Sequence, residues 1–492
     1  MAEIRNGMMY CNALFQEEPL NKLTPIVLTL PALLAAAPTY NKDIAPILNS
    51  QCALCHRPGE VAPFSLLTYQ DAAKRASLIA SVTAKGFMPP WKPEAGFGKF
   101  QHERRLSADQ IALLAEWAKA GAPEGNPKDK PPVPNFTEGW QGGEPNLVLK
   151  AGKGFTVAAD GPDQFQCFVL PLNLEQDSYI QTAEFRPGNR RVVHHGVIYV
   201  DETGSARKLA ANSPDGSYPC FGGPRVAATG LLAGWAPGTI AEAGDPQLSI
   251  PVKKGTDLVL QIHYHPSGKA ETDISSVGVT FSGPPAHGRT SLIMVNTNLD
   301  IPPGDAHYVV KSSLTMPRDV EFSGIFPHAH WLCKDMKVDA HLPNGETAHL
   351  VWIKDWDFNW QGGYRYEKPV MLPKGTRVDL EYTFDNSAQN LRNPSNPPAR
   401  VQFGEQTADE MAVAFFTVVL PTPADVAPFQ RDMRLAVIDD MLASGDLSAL
   451  RRIPGLGGRG QQLLQQFDKN GDGKLDDTER KALMDFLRTM MR

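Results

Sequence analysis

The sequence predicts a multidomain, mostly β chain: a small all-α domain, two antiparallel β-sandwiches of jelly-roll character, and a short helical tail. Three observations carry this. At 492 residues the chain is too long for one hydrophobic core. Its 42 Gly and 42 Pro are scattered without a period, which reads as many turns between short strands rather than collagen or a disordered tract. Helical patterns are confined to the two ends, whereas 140–425 alternates short β-branched or aromatic runs with Gly/Pro turns. The resulting division is a leader at 1–38, a helical domain at 39–125, a linker at 126–139, sandwiches at 140–285 and 286–425, and a tail at 426–492.

The net charge of −6, with no long basic block, argues against nucleic acid or an anionic membrane as partner. Thr24 to Ala37 (TPIVLTLPALLAAA) is an apolar run of signal-peptide length that ends in small residues, with Lys22 just ahead. Glu17 and Glu18 do not suit a signal n-region, so a start nearer Leu20 and cleavage around Ala35–Ala37 are expected. Pro31 interrupts the run, which is too short to span a bilayer, and no other stretch could span one. The implied location is periplasmic or secreted.

Within 39–125, Cys52-Ala-Leu-Cys55-His56 is a C-x-x-C-H motif, the signature of c-type haem attachment. Two thiols about one helical turn apart can form thioethers with the two vinyl groups, and the adjacent His reaches the iron from the same face. A zinc site would need two more ligands nearby, and only His102 is available. A redox C-x-x-C is the other reading, but the following His and the export leader favour haem c. Met88 lies in Gly86-Phe-Met-Pro-Pro-Trp91, a Pro-stiffened loop able to hold a thioether against the iron as sixth ligand. His102, among charged residues, reads as surface. The spacing and loop character resemble class I c-type cytochromes, whose fold 39–125 would share, and a His/Met pair suits an electron donor. A helix follows: Ser107 with Gln110 makes a capping box, Ile111, Leu114 and Trp117 the buried stripe, and Gly121 with Pro123 the stop. Asn126–Gly139, with four prolines and no apolar period, reads as a semi-rigid linker.

In the β-rich body the strand-like runs include Arg191–Val200, Thr256–His265, Arg377–Phe384 and Met411–Leu420, with a boundary near Pro284–Arg289. Histidines fall unevenly on them. His194 and His195 are adjacent, His263 sits in LVLQIHYHP, and His328 and His330 form an H-x-H in Gly324–Leu332. Strand side chains alternate with period two, so both imidazoles of the H-x-H point the same way. Adjacent His194 and His195 would face opposite ways unless the strand ends or twists, which Gly196 permits. Taken singly, each His is more often structural than ligating. Five in three strand-like motifs make half-sites for transition metals. Met411 alone would read as core filler, but two imidazoles and a thioether favour copper able to cycle between Cu(I) and Cu(II).

These residues together resemble the copper type II, ascorbate-dependent monooxygenases, whose members include peptidylglycine α-hydroxylating monooxygenase and dopamine β-monooxygenase. Four motifs carry the resemblance, in order: the His-His pair, Gln261-Ile-His-Tyr264, the H-x-H strand, and Asp409-Glu-Met411. Leu299-Asp-Ile-Pro-Pro-Gly304 is also similar to a family segment. The resemblance implies two copper ions, one per sandwich, facing each other across an open cleft. His194, His195 and His263 would hold the electron-transferring copper; His328, His330 and Met411 would hold the copper that activates O2, and so are the catalytic set. The implied reaction is hydroxylation of an unactivated C–H bond with O2 and two electrons. Gln261 matches a family position in the cleft. The peptide-amidating branch has an Arg two residues before its H-x-H and a Tyr four residues after its Met, which anchor a peptide carboxylate. Here those places hold Phe326 and Phe415, which cannot clamp a carboxylate. A small apolar or aromatic substrate is therefore expected. His265, where the family pattern often has Gly, reads as a solvent-facing residue or a spare ligand. Cys167 and Cys220 occupy places resembling one family disulfide, which leaves Cys333 without an obvious partner.

In the tail, Asp468–Glu479 (DKNGDGKLDDTE) matches the twelve-residue EF-hand loop. Its calcium ligands would be Asp468, Asn470, Asp472, the Lys474 carbonyl, Asp476 directly or through water, and Glu479, with Gly473 at the sharp turn. Helical patterns at Gln461–Phe467 and Glu479–Met490 flank it, and Ala436–Leu450 is a candidate degenerate partner. The expected protein is thus an exported enzyme with two coppers, haem c and calcium. Its partners would be a small-molecule substrate, O2 and an external electron donor, either a small reductant or a redox protein. The competing class is a non-catalytic periplasmic electron-transfer or copper-binding cytochrome. A copper store would be rich in Met or Cys, whereas one site here is His₃ and the other His₂Met.

Overall fold

Alternation of apolar and polar residues builds the central sheets. Strand Arg377–Phe384 buries Val378, Leu380, Tyr382 and Phe384 and leaves the residues between them more exposed, as a sheet with one covered face requires. Strand Asp257–Tyr264 (DLVLQIHY) is buried at every position, because it lies at the centre of its sheet and is covered on both faces. The computed structural model describes residues 37–443 and 460–490, apart from 61, 137–138, 227–229, 238 and 240. The expected leader lies outside the described residues but for its last two positions.

The structure is mostly antiparallel β-sheet with a few helices. In the first half, a five-stranded sheet runs in the order Ser217–Pro219, Gln164–Pro171, Asp257–Tyr264, Val193–Asp201, Gly230–Trp235. A four-stranded sheet runs Leu147–Lys150, Ser276–Ser282, Ser178–Arg186, Ile250–Val252. Phe168, Ile198, Leu260 and Ile262 of the first share one apolar cluster with Ile180, Val277 and Val279 of the second. The second half repeats the plan with two four-stranded sheets. One is Gly288–Asn296, Ala412–Leu420, Val320–His328, Tyr364–Leu372, and the other is Tyr308–Thr315, Arg377–Phe384, Cys333–His341, Thr347–Ile353. Their shared core includes Phe322, Phe416, Met336 and Tyr382. The change from one half to the other falls between Ser282 and Gly288, near the expected boundary. The short helix Ser205–Leu209 in the first half was not expected from the pattern.

Residues 39–125 are helical, with segments Tyr40–Ile44, Ala45–Gln51, Tyr69–Ala73, Ala76–Ala84 and Ala108–Lys119. Ile44, Leu48, Leu114 and Trp117 form their core, while Ile111 is only half-buried. The Ser107/Gln110 capping box is present, and Gly121 (φ 82°) takes the left-handed conformation that ends the helix. In the tail, helix Val426–Ala443 joins two cores: Phe429 and Met433 pack into the second pair of sheets, and Leu435, Ile438 and Leu442 against Leu463, Leu483, Met484 and Leu487. Cys167 and Cys220 form a disulfide. Cys52, Cys55 and the buried Cys333 are free thiols. Among the described residues no helix is long and apolar enough to cross a membrane.

Candidate metal centres

Three imidazoles converge in the first half. His263 and His195 are cross-strand partners on Asp257–Tyr264 and Val193–Asp201, and a register shift between Val193 and His195 turns His194 toward them. The irregularity therefore sits at His194 and not at Gly196, which pairs regularly with Ile262 and Trp235. Nδ1 of His195 lies 3.3 Å from Nδ1 of His194 and 3.3 Å from Nδ1 of His263. One ligand atom from each lies within 4.8 Å of the others, and this is the one such group among the described residues. Three neutral ring nitrogens that converge in this way are a donor set for a transition-metal ion. Burial, reinforced by His263, lowers the pKa of His194 to about 3 and that of His195 well below its usual range, so both are neutral donors near pH 7.

Asp163 holds the third member. Its carboxylate accepts from Nε2 of His263 at 2.8 Å, which leaves Nδ1 unprotonated and pointing at the other two rings. It also accepts from Nδ1 of His265 at 2.7 Å and from the Thr407 hydroxyl. Burial alone would raise this carboxyl's pKa, but the bonds from His263 and Thr407 prevail and lower it. The His265 side chain is 67% exposed, as a surface residue should be.

The second pair lies at the end of strand Val320–His328. His330 stands just past the strand, yet the two rings are 5.2 Å apart and nearly perpendicular. Nδ1 of His328 bonds Oε1 of Gln361 at 2.6 Å, and Nδ1 of His330 bonds the Asp409 carbonyl at 3.0 Å. Each Nδ1 is thereby the protonated nitrogen, and each Nε2 is left as a free donor. Burial lowers His328 to about 4 and His330 to about 3. Strand Ala412–Leu420 pairs with this one as far as Val413 and His328, and the backbone N–H groups of His330 and Met411 both donate to the Glu410 carboxyl. Fully buried Glu410 fixes that corner by accepting from the backbone N–H of His330 (2.9 Å), Leu332 (2.6 Å) and Met411 (3.0 Å). Burial pushes its carboxyl up to about 8 although these N–H groups pull it down.

The Phe358 ring stacks on His194 at 5.2 Å and meets His330 edge-on at 5.5 Å, one phenyl between the two clusters. Thr407, four residues before Met411, is bonded to Asp163 and so links the two clusters a second time.

In the helical segment, His56 donates Nδ1–H to the Phe64 carbonyl (3.1 Å) and packs on its ring, leaving Nε2 free to ligate. Burial pushes the Cys52 thiol up to about 12 and raises Cys55. Two unpaired thiols beside an oriented imidazole are the donor set a covalently attached haem requires. Met88 is half-buried in its loop. His102 is 62% exposed and pairs with Glu242, in keeping with a surface residue.

The tail loop lies between helices Gly460–Phe467 and Asp477–Met490. Asp468 accepts from the N–H of Gly471 and Gly473, and Glu479 from those of Lys469, Asn470 and Asp476. Asp472 accepts from Lys474 N–H. The loop is thus closed on its own acidic side chains, with oxygen donors of the type calcium takes.

Of the expected substrate residues, Phe326 and Phe415 are direct cross-strand partners with rings 6.0 Å apart, and Phe326 stacks 6.5 Å from His328. The Gln261 amide donates to the Cys220 carbonyl (2.8 Å) beside the disulfide, and its carbonyl accepts from the Tyr199 hydroxyl (3.4 Å). Sequence reasoning missed Asp163, Gln361, Phe358 and Thr407. Glu410 stood within the Asp-Glu-Met motif without a role.

No protein-family profile matches the chain, and no curated protein matches it. Among solved structures, similarity reaches the infectious bursal disease virus VP2 subviral particle (8% identity, 58% of this chain and 74% of that one, TM-score 0.17). It also reaches the major capsid protein P2 of bacteriophage PM2 (7%, 50% and 99%, TM-score 0.21) and the STIV major capsid protein (10%, 57% and 97%, TM-score 0.23). Likeness at this level carries no argument about the site.

Proposed function

We propose that the chain is an exported copper-dependent monooxygenase that hydroxylates a C–H bond of a small apolar or aromatic substrate with O2. The observation that carries this reading is the convergence of the His194, His195 and His263 ring nitrogens within 4.8 Å, one phenyl ring away from a second oriented His pair. His194, His195 and His263 hold the electron-transferring copper, and His328, His330 and Met411 the copper at which O2 reacts. Copper supplies the one-electron chemistry by which two electrons divide O2 between a hydroxyl group and water.

The remaining work belongs to side chains. Asp163 keeps Nδ1 of His263 unprotonated, and Gln361 and the Asp409 carbonyl do the converse for His328 and His330, so the first set binds through Nδ1 and the second through Nε2. Phe326 and Phe415 put two phenyl rings on the His328 side, in the places where the peptide-amidating pattern has its carboxylate anchors. Cys52, Cys55 and His56, with Met88, would hold a haem c, which would supply one-electron transfer from an external donor. Calcium at Asp468–Glu479 stabilises the tail. The disulfide suits a periplasmic or secreted location.

Metal analysis of the purified chain is expected to give two coppers, one haem and one calcium. Met411→Ile is expected to abolish substrate-dependent O2 consumption, in a screen of small aromatic and aliphatic compounds, while haem content stays unchanged. Full O2 consumption by this variant, or a chain that retains no copper, would overturn the reading.

A further inference from the structure

Residues 88–104 leave the helical segment and run along the second pair of sheets. Glu94 N–H donates to Trp352 O (2.7 Å), Gln101 N–H to Arg365 O (2.9 Å), and Glu367 N–H to Lys99 O (2.8 Å). This run brings Trp91 and Arg104 to a cavity of about 100 Å³ where three parts of the chain meet. Thr239 and Glu242 reach it from the first half, and Tyr364 and Arg365 from the second. Trp91 meets Tyr364 edge-on at 5.4 Å. Burial raises the pKa of the Tyr364 phenol and the charge of Arg104 pulls it back, so the guanidinium lies near that ring.

Nε and Nη1 of Arg104 and Nε1 of Trp91 are buried and have no protein partner among the described residues. The carboxylates nearby are engaged elsewhere. Glu242 pairs with Arg365 and with His102 (3.5 Å), and Glu103, next to Arg104 in the chain, pairs with Arg105 (2.7 Å). The cavity wall therefore carries the charges of Arg104 and Arg365 against the single carboxylate of Glu242. A buried donor left unmet is costly, and a buried charge left unpaired is more so. Water accepts from an N–H but brings no charge. An oxyanion does both, and the guanidinium is the side chain best matched to one. None of Cys52, Cys55, His56 and Met88 lines the cavity, which sets it apart from the residues assigned to haem.

We propose that this junction binds a small free oxyanion, of the size of acetate or phosphate, through the Arg104 guanidinium and the Trp91 indole N–H. The bound anion neutralises Arg104 and ties the run 88–104 to both halves of the β body, because the cavity wall is built from all three. The site stands apart from the copper and haem assignments and does not depend on them.

The test is calorimetric titration of the full chain, with its haem content measured, against sodium acetate and sodium phosphate at constant ionic strength, followed by melting of the same samples. The wild type is expected to bind one equivalent of at least one of the two anions and to melt at a higher temperature in its presence. Arg104→Gln is expected to weaken that binding by about tenfold or more and to lose the melting response. Trp91→Phe, which keeps an aromatic ring and drops one N–H, is expected to weaken it by about fivefold. Arg105→Gln removes the same charge from the neighbouring residue, outside the cavity wall, and is expected to bind as the wild type does. Circular dichroism shows which variants fold, and Trp91→Phe decides the matter where Arg104→Gln does not. No binding by the wild type, unchanged binding in Arg104→Gln or in Trp91→Phe, or an equal loss in Arg105→Gln overturns the proposal. So does binding that appears only when haem is removed by Cys52→Ala with Cys55→Ala, since the donors would then belong to carboxylates carried by the haem. A chain that proves to hold no haem or copper still tests the site, so failure of those readings is seen separately in its metal and haem content.

Discussion

At the residue scale the decisive side chain is Asp163. It contacts no other predicted ligand than His263, yet the geometry of the His₃ group depends on it, because only its bond to Nε2 fixes which nitrogen of His263 faces the metal. Removing such a partner typically costs about 10–100-fold in metal affinity. Asp163→Ala is therefore expected to weaken copper at the His₃ group by about that factor, measured by chelator competition in a His328→Ala background, where only this copper remains. Unchanged affinity would mean that packing alone orients the ring. The histidines were legible in the sequence because their spacing on strands has meaning: period two for His328 and His330, adjacency for His194 and His195. Asp163 lies 100 residues from His263, and Gln361 33 residues from His328, in loops whose spacing encodes nothing. Only the fold brings them to their imidazoles.

At the element scale, strands with a clear alternation were readable nearly to the residue. Arg377–Phe384 is one, and Met411–Leu420 begins one place late at Ala412. That the strand must end or twist at His194–His195 was readable from their adjacency, but not that the slip falls between Val193 and His195, because a β-branched run does not mark it. The corner at Glu410 also escaped, since a buried carboxylate binding backbone N–H groups looks in sequence like any charged loop residue. That corner joins the turn after strand Val320–His328 to the start of strand Ala412–Leu420 through backbone N–H groups of both. Glu410→Ala leaves two buried N–H groups, of His330 and Leu332, and the part-buried one of Met411 without their acceptor, a buried one costing about 1–3 kcal/mol. The loss expected on the second pair of sheets is roughly 3–6 kcal/mol in denaturant unfolding, together with copper lost from the His₂Met set before the His₃ set. A stability within about 0.5 kcal/mol of the wild type would show that water replaces the carboxylate.

At the scale of the whole molecule, helix Val426–Ala443 is the joint between the sheets and the tail, since it contributes to both cores. Among the described residues the tail core is small, with seven buried side chains, and a core of that size gains from a further constraint. Calcium is suited to supply it. The loop places Asp468, Asp472, Asp476 and Glu479 between the last two helices, where backbone N–H groups and the Asn470 amide donate to them. A cation that binds only the folded loop stabilises it by about 1.4 kcal/mol at roughly ten times its Kd. Extracellular loops of this kind have Kd values of about 10⁻⁴–10⁻³ M, so millimolar calcium is the range to scan. Adding it is expected to raise the tail's unfolding temperature and to slow proteolysis within 460–490. Chelation should reverse both while the copper sites keep their metal, because the tail core contains none of the imidazoles. In Asp468→Ala, which removes the first ligand of the loop, melting should no longer respond to calcium. A tail that melts at the same temperature with and without calcium in the wild type would show that the acidic loop is a cap held by its own backbone.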